Sequence, residues 1–122
     1  MKILLVDDDF FFQKALSFFL LDQDHSVLFA RDGQKAIEKA EKNGDIDMVI
    51  CDIDMPVLMG PEFILRLKEL YPQKRPVIII VSGLKNATTF LETRKIEYDH
   101  FFEKPLNLEV FVQSLGEIIR NA

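Results

Sequence analysis

The sequence has no tryptophan, a single cysteine and no long apolar run. With Cys51 alone, an internal disulfide framework is excluded, and the usage suits a reducing compartment. No stretch approaches the roughly 18 consecutive apolar residues of a membrane-spanning helix. The opening MKILLVDDD places only a short apolar segment between one lysine and three aspartates, too little for a secretory signal. The expected location is therefore the cytoplasm, away from membranes. Positive charge is scarce as well: 15 Lys and Arg face 20 Asp and Glu, a net charge of −5, with no basic cluster longer than Lys74-Arg75. Direct nucleic-acid binding is not expected of such a surface.

What is present is enough apolar residue to fold. At 48% hydrophobic, a chain of 122 residues can bury roughly two thirds of the surface its unfolded form exposes, without a disulfide or metal. Linkers, repeats and low-complexity segments are missing, so residues 1–122 are expected to form one domain. Short apolar runs alternate five times with segments of helical period. The runs are Ile3–Val6, Val27–Ala30, Met48–Cys51, Val77–Val81 and a weaker His100–Phe102, and their continuous hydrophobicity marks strands covered on both faces.

Helical spacing joins Phe12, Leu16, Phe19 and Leu20. It also joins Ala36, Ile37 and Ala40 after the turn signal Asp32-Gly33. A third helix is expected to open with Pro61 after Gly60, to bury Phe63, Ile64, Leu67 and Leu70, and to stop at Tyr71-Pro72. Asn86–Arg94 is a weaker helix, rich in threonine, and the last begins at an Asn107 cap with the stripe Leu108, Phe111, Val112, Leu115, Ile118 and Ile119. Strands alternating with helices imply an α/β doubly wound parallel sheet. Its order, 2-1-3-4-5, is taken over from known flavodoxin-like sheets. Ligands of such sheets bind at the carboxyl ends of the strands, here between strands one and three.

At that edge the polar residues collect. Strand one ends in Asp7-Asp8-Asp9, strand three in Asp52 followed by Asp54, strand four in Ser82-Gly83, and strand five runs into Lys104-Pro105. Clustered carboxylates persist in a dry cleft mainly when a cation holds them, and hard oxygen ligands in small number favour Mg²⁺. An aspartate beside Mg²⁺ can attack phosphorus and become an aspartyl phosphate, with the metal and the lysine neutralising the phosphoryl oxygens. Asp9 is expected to cap the first helix, although three adjacent aspartates leave the ligand pair open by one residue.

The motifs VDDDF, CDIDMPVLMG, VIIIVSG and FFEKP resemble, in order and spacing, the receiver domain of two-component response regulators. The resemblance covers the whole chain and implies a flavodoxin-like receiver fold. It implies Asp52 as phosphoacceptor, Asp7 and Asp8 as acidic metal ligands, and the backbone carbonyl of Asp54 as a further ligand to Mg²⁺. Ser82 and Lys104 would contact the phosphoryl group, and Phe101 would be the switch aromatic whose ring turns inward. Pro105 matches the family's proline, usually preceded by a cis bond. Glu97 stands where a glycine usually ends helix four.

Implied partners are a histidine kinase or phosphotransfer protein as donor, and an output protein or domain engaging the face of helix four, strand five and helix five. A homodimer through that face is also implied. Such a chain would be chiefly a signalling phosphoacceptor that catalyses its own phosphorylation and dephosphorylation.

Two other functions fit parts of the pattern. Asp52-Ile53-Asp54, Ser82 and Lys104 also look like the first motifs of haloacid-dehalogenase-type phosphatases. That reading leaves the strand-one aspartates unexplained and lacks a late acidic motif. A receiver-shaped binding module without phosphoryl turnover is the third reading, and retention of all the key positions argues against it. The side chain of Asp54 could border the path of water attacking the phosphoryl group, or point into solvent. Three successive aromatics, Phe10, Phe11 and Phe12, cannot all face the core of one helix, so one or two should be exposed; either the sheet and its neighbours cover the helix broadly, or these rings form a docking patch for the donor.

Overall fold

The computed structural model describes residues 1–54 and 60–122. The MPVLM part of the acceptor motif lies outside the described residues. Five strands, β1 (Lys2–Val6), β2 (Ser26–Ala30), β3 (Met48–Asp52), β4 (Val77–Ser82) and β5 (His100–Glu103), pair in parallel in the order β2-β1-β3-β4-β5. Five helices follow them in turn: α1 (Phe10–Asp22), α2 (Gly33–Lys42), α3 (Gly60–Leu70), α4 (Ala87–Thr93) and α5 (Leu108–Asn121). The expected fold class and strand order are those observed.

Successive residues of a strand point to opposite faces, and the core divides accordingly. Leu4 and Val6, Val49 and Cys51, and Ile78 and Ile80 pack with Ala36, Ile37, Phe63, Ile64, Leu67 and Leu91, so α2, α3 and α4 cover one face. The alternate residues, Ile3 and Leu5, Met48 and Ile50, and Ile79 and Val81, pack with Leu16, Leu20, Phe111 and Leu115 of α1 and α5 on the other. Because both faces are covered, the strands read as unbroken apolar runs. Right-handed crossovers require this division: β1 to β2 steps one way across the sheet, and all later crossovers step the other way. The two directions part between β1 and β3, opening a crevice at their carboxyl ends.

Helix ends follow local chemistry. Asp9 caps α1, its carboxylate accepting from the amides of Phe11 (3.0 Å) and Phe12 (3.2 Å), and Asn107 caps α5 through the Val110 amide (3.1 Å). Both caps were expected. The α4 helix fills the expected segment, with Asn86 and Arg94 as its two caps, but it ends without a glycine. The residue in the left-handed region past its end is Lys95 (φ 57°), two positions before Glu97. The Ile96 amide donates to the Leu91 carbonyl (2.9 Å) and the Lys95 amide to that of Glu92 (3.0 Å), closing the helix with a Schellman motif. Glu97 instead pairs with Lys68 of α3 at 3.1 Å. Of the phenylalanine triplet, Phe10 and Phe11 are exposed, whereas Phe12 lies 6.1 Å from the ring of Phe111. Among the described residues, no helix is long and apolar enough to cross a membrane.

Candidate functional site

Buried polar residues in a core this apolar need a reason, since each gives up hydration. Among the described residues they are Asp7, Ser17, Asp52 and Ser82. Three of these four stand at the carboxyl ends of β1, β3 and β4. Backbone geometry fixes two of them: the Asp9 amide donates to Asp7 Oδ1 (2.8 Å) and the Asp54 amide to Asp52 Oδ1 (2.8 Å). Gln13 of α1 adds a brace, its side-chain amide donating to the carbonyls of Asp7 and Ala30.

Lys104 arrives from the end of β5, before a cis Lys104–Pro105 bond, and its Nζ donates to Asp52 Oδ2 at 2.7 Å and lies 3.9 Å from Asp7 Oδ2. Carboxylate oxygens of Asp7, Asp8 and Asp52 fall within 4.8 Å of one another, with Asp8 exposed and the other two buried. Burial is the chief cause that pushes the Asp7 carboxyl up to about 6, with the charges of Asp52 and Asp8 adding to it against the Asp9 amide and Lys104. Burial raises Asp52 too, opposed by the Lys104 ammonium and the Asp54 amide. For Lys104 burial works against the charge, but the hydrogen bond and attraction of Asp52 outweigh it and leave the ammonium above its usual range. One ammonium thus stands among three carboxylates. This oxygen-only cluster, short of positive charge, fits a hard divalent cation such as Mg²⁺.

Asp54 lies two residues beyond the end of β3, and its carboxylate crosses to the next strand end. Oδ1 accepts from the Ser82 hydroxyl (2.9 Å) and Oδ2 from the Gly83 amide (3.0 Å). The Ser82 Oγ in turn accepts from the Leu84 amide (3.0 Å). Neither of the two side-chain placements expected for Asp54 included this bridge. The register makes the bridge possible: β3 and β4 are neighbours, with Asp52 opposite Val81, which brings Asp54 beside Ser82 and Gly83. Phe101 is half-buried, 6.4 Å from the ring of Tyr98, and lines a cleft of about 250 Å³ with Leu84, Asn86, Thr88 and Glu103. Asp7, Asp8, Asp52, Ser82 and Lys104 are therefore brought to one crevice, and Phe101 stands apart on the α4–β5 side.

A buried aspartate among carboxylates and a lysine, at the switch point of a doubly wound sheet, defines a class of acidic, cation-fitting pocket. Comparison with known proteins makes the class specific: residues 3–116 match the response regulator receiver domain, and the chain belongs to that family. Its members work with histidine kinases and output domains.

Response regulator RR06 of Streptococcus pneumoniae serotype 2 is 29% identical over 120 residues, covering 98% of this chain and 54% of that protein. The chain thus spans about half the length of that curated relative. A crystal structure of the chemotaxis response regulator CheY4 of Vibrio cholerae is 28% identical with a TM-score of 0.80, covering 96% of this chain and 97% of that one. A receiver domain protein (CheY-like) from Methanospirillum hungatei shares the fold with a TM-score of 0.82 at 22% identity, covering 98% and 94%. The aspartates of β1, unexplained by a haloacid-dehalogenase-type reading, lie within the same cluster as Asp52.

Proposed function

We propose that residues 1–122 act as one receiver domain of a two-component system and that Asp52 is its phosphoacceptor. The observation that carries the reading is the convergence of Asp7, Asp8 and Asp52 within 4.8 Å, with Lys104 Nζ 2.7 Å from Asp52. The carboxylates of Asp7, Asp8 and Asp52, with the Asp54 backbone carbonyl, would hold Mg²⁺. When bound, the metal supplies positive charge toward the phosphoryl oxygens. A carboxylate oxygen of Asp52 forms a bond to phosphorus while the bond from phosphorus to the donor's leaving atom breaks, that atom keeping the electron pair. The donor is a histidine kinase or phosphotransfer protein, with an imidazole nitrogen as leaving atom. Lys104 favours the ionised form of Asp52 against the effect of burial and then faces the phosphoryl oxygens, and the Ser82 hydroxyl donates to one of them. Hydrolysis resets the site: the water's oxygen bonds to phosphorus as the Asp52–phosphorus bond breaks, the electron pair returns to the Asp52 carboxylate, a water proton passes to solvent and inorganic phosphate leaves.

Phe101 is the switch aromatic, coupling Ser82 to the face of α4, β5 and α5. That face is read as the surface for an output protein or domain, and for a homodimer. The working place is the cytoplasm, without direct contact to nucleic acid or membrane.

Incubation with acetyl phosphate and Mg²⁺ is expected to add one phosphoryl group, read by intact mass because the chain has no tryptophan to quench. Chelator and the Asp52→Asn variant are both expected to abolish the addition. Wild-type labelling of Asp52→Asn would remove Asp52 from its role.

A further inference from the structure

We infer that the Asp54 carboxylate is a positioning residue that latches Ser82 in the unphosphorylated state, so that the switch turns only when this bond is given up. The inference rests on the reading of Asp52 as phosphoacceptor and concerns what opposes the switch.

A serine hydroxyl has one proton to donate. Here Ser82 gives it to Asp54 Oδ1 at 2.9 Å, a hydrogen bond strengthened by the carboxylate's charge. A phosphoryl oxygen on Asp52 needs that same proton, so the two acceptors exclude each other. The contact is doubly tied, because Asp54 Oδ2 also takes the Gly83 amide at 3.0 Å. Ser82 is fully buried, which leaves water no access to replace the lost partner during rotation. The other end of the latch leads toward the switch face. The Leu84 amide donates to Ser82 Oγ, and Leu84 lines the cleft that holds Phe101. Turning the hydroxyl therefore alters the anchor of the residue that neighbours the switch aromatic.

Asp54 also carries charge near Asp52, and the test separates charge from latch. Titration of Mg²⁺ with beryllofluoride, a phosphoryl mimic, gives an affinity for wild type, Asp54→Ala, Ser82→Ala and the double variant. A hydrogen bond to a charged group is worth about 1.5 kcal/mol or more, so Asp54→Ala is expected to bind the mimic about tenfold more tightly than wild type. In the Ser82→Ala background the same change should yield only the charge effect, about threefold or less, because no hydroxyl remains to be released.

A second measurement uses the protein without metal or mimic: Asp54→Ala should shift the Leu84 amide signal, since the freed hydroxyl changes its geometry toward that amide. Equal gains in both Ser82 backgrounds, no gain at all, or an unmoved Leu84 amide would each overturn the latch. Failure of wild type to take up the mimic would overturn the phosphoacceptor reading together with the latch; a binding wild type without coupling overturns the latch alone.

Discussion

Asp7 shows most directly what the site costs the fold. In the unfolded chain its carboxyl releases its proton near 3.8, whereas burial holds the folded one to about 6. Between those values the folded state binds more protons, so this group's contribution to stability falls as pH rises from about 4 to about 6 and stays lost above. Asp7→Asn keeps an oxygen for the Asp9 amide and has nothing to ionise. At pH 7 without metal it is expected to be more stable than wild type, by on the order of 1 to 3 kcal/mol, and to lose that advantage near pH 4. Added Mg²⁺ should stabilise wild type and leave Asp7→Asn almost unmoved. Urea melts at pH 4 and pH 7, with and without Mg²⁺, provide the check; a metal-free Asp7→Asn less stable than wild type at pH 7 would contradict the assigned cost. Asp54 differs from Asp7 in that both its oxygens accept hydrogen bonds, from the Ser82 hydroxyl and the Gly83 amide.

At the scale of elements, strands were legible because burial on both faces leaves unbroken apolar runs, and Met48–Asp52 is buried at every position. Caps were legible where one side chain does the work, as at Asp9 and Asn107. The site was legible because a parallel sheet sends every carboxyl end to one edge, so polar residues after apolar runs converge without any knowledge of long-range contacts. The residues that close α1 and α4 were not. Both close through left-handed residues that are not glycine, Asp24 (φ 62°) and Lys95 (φ 57°), and no glycine marks the place. The Asp54–Ser82 bridge escaped for a related reason: it depends on side-chain direction past the strand ends, which residue type does not encode. Lys95 gives a test of the strain. A side chain in this region costs about 1 kcal/mol or more, partly offset by the chain entropy that glycine loses on folding. Lys95→Gly is expected to raise the stability by about 0.5 to 1 kcal/mol, roughly 4 °C in melting temperature. A lower melting temperature would show that the Lys95 side chain contributes more than its backbone loses.

Across the whole molecule, rigidity and response are divided between the two sides of the crevice. The β1–β3 side holds the proposed phosphoacceptor on central strands that are paired on both edges. The β5 side is an edge strand of four residues beside a helix of seven, with Phe90 and Phe101 only half-buried. Segments with fewer buried apolar contacts open at lower free energy, so the proposed response is expected there. Phe101 has no hydroxyl, and turning its ring inward therefore strands no polar group; only packing resists the motion. Binding of beryllofluoride with Mg²⁺ is accordingly expected to move the amide signals of Ser82, Leu84, Phe101 and Glu103 and those along α5. Signals of α2, which packs beside β1 on the far side of the crevice from β5, should stay in place. Phe101→Ala should take up the mimic yet pass a weaker shift to α5, because the moving ring is gone while the acidic cluster is untouched. If the shifts in wild type stayed confined to the residues around Asp52, the path from Ser82 through Phe101 would be wrong, and the exposed aromatics Phe10 and Phe11 beside the acidic cluster would become the surface to test for a response.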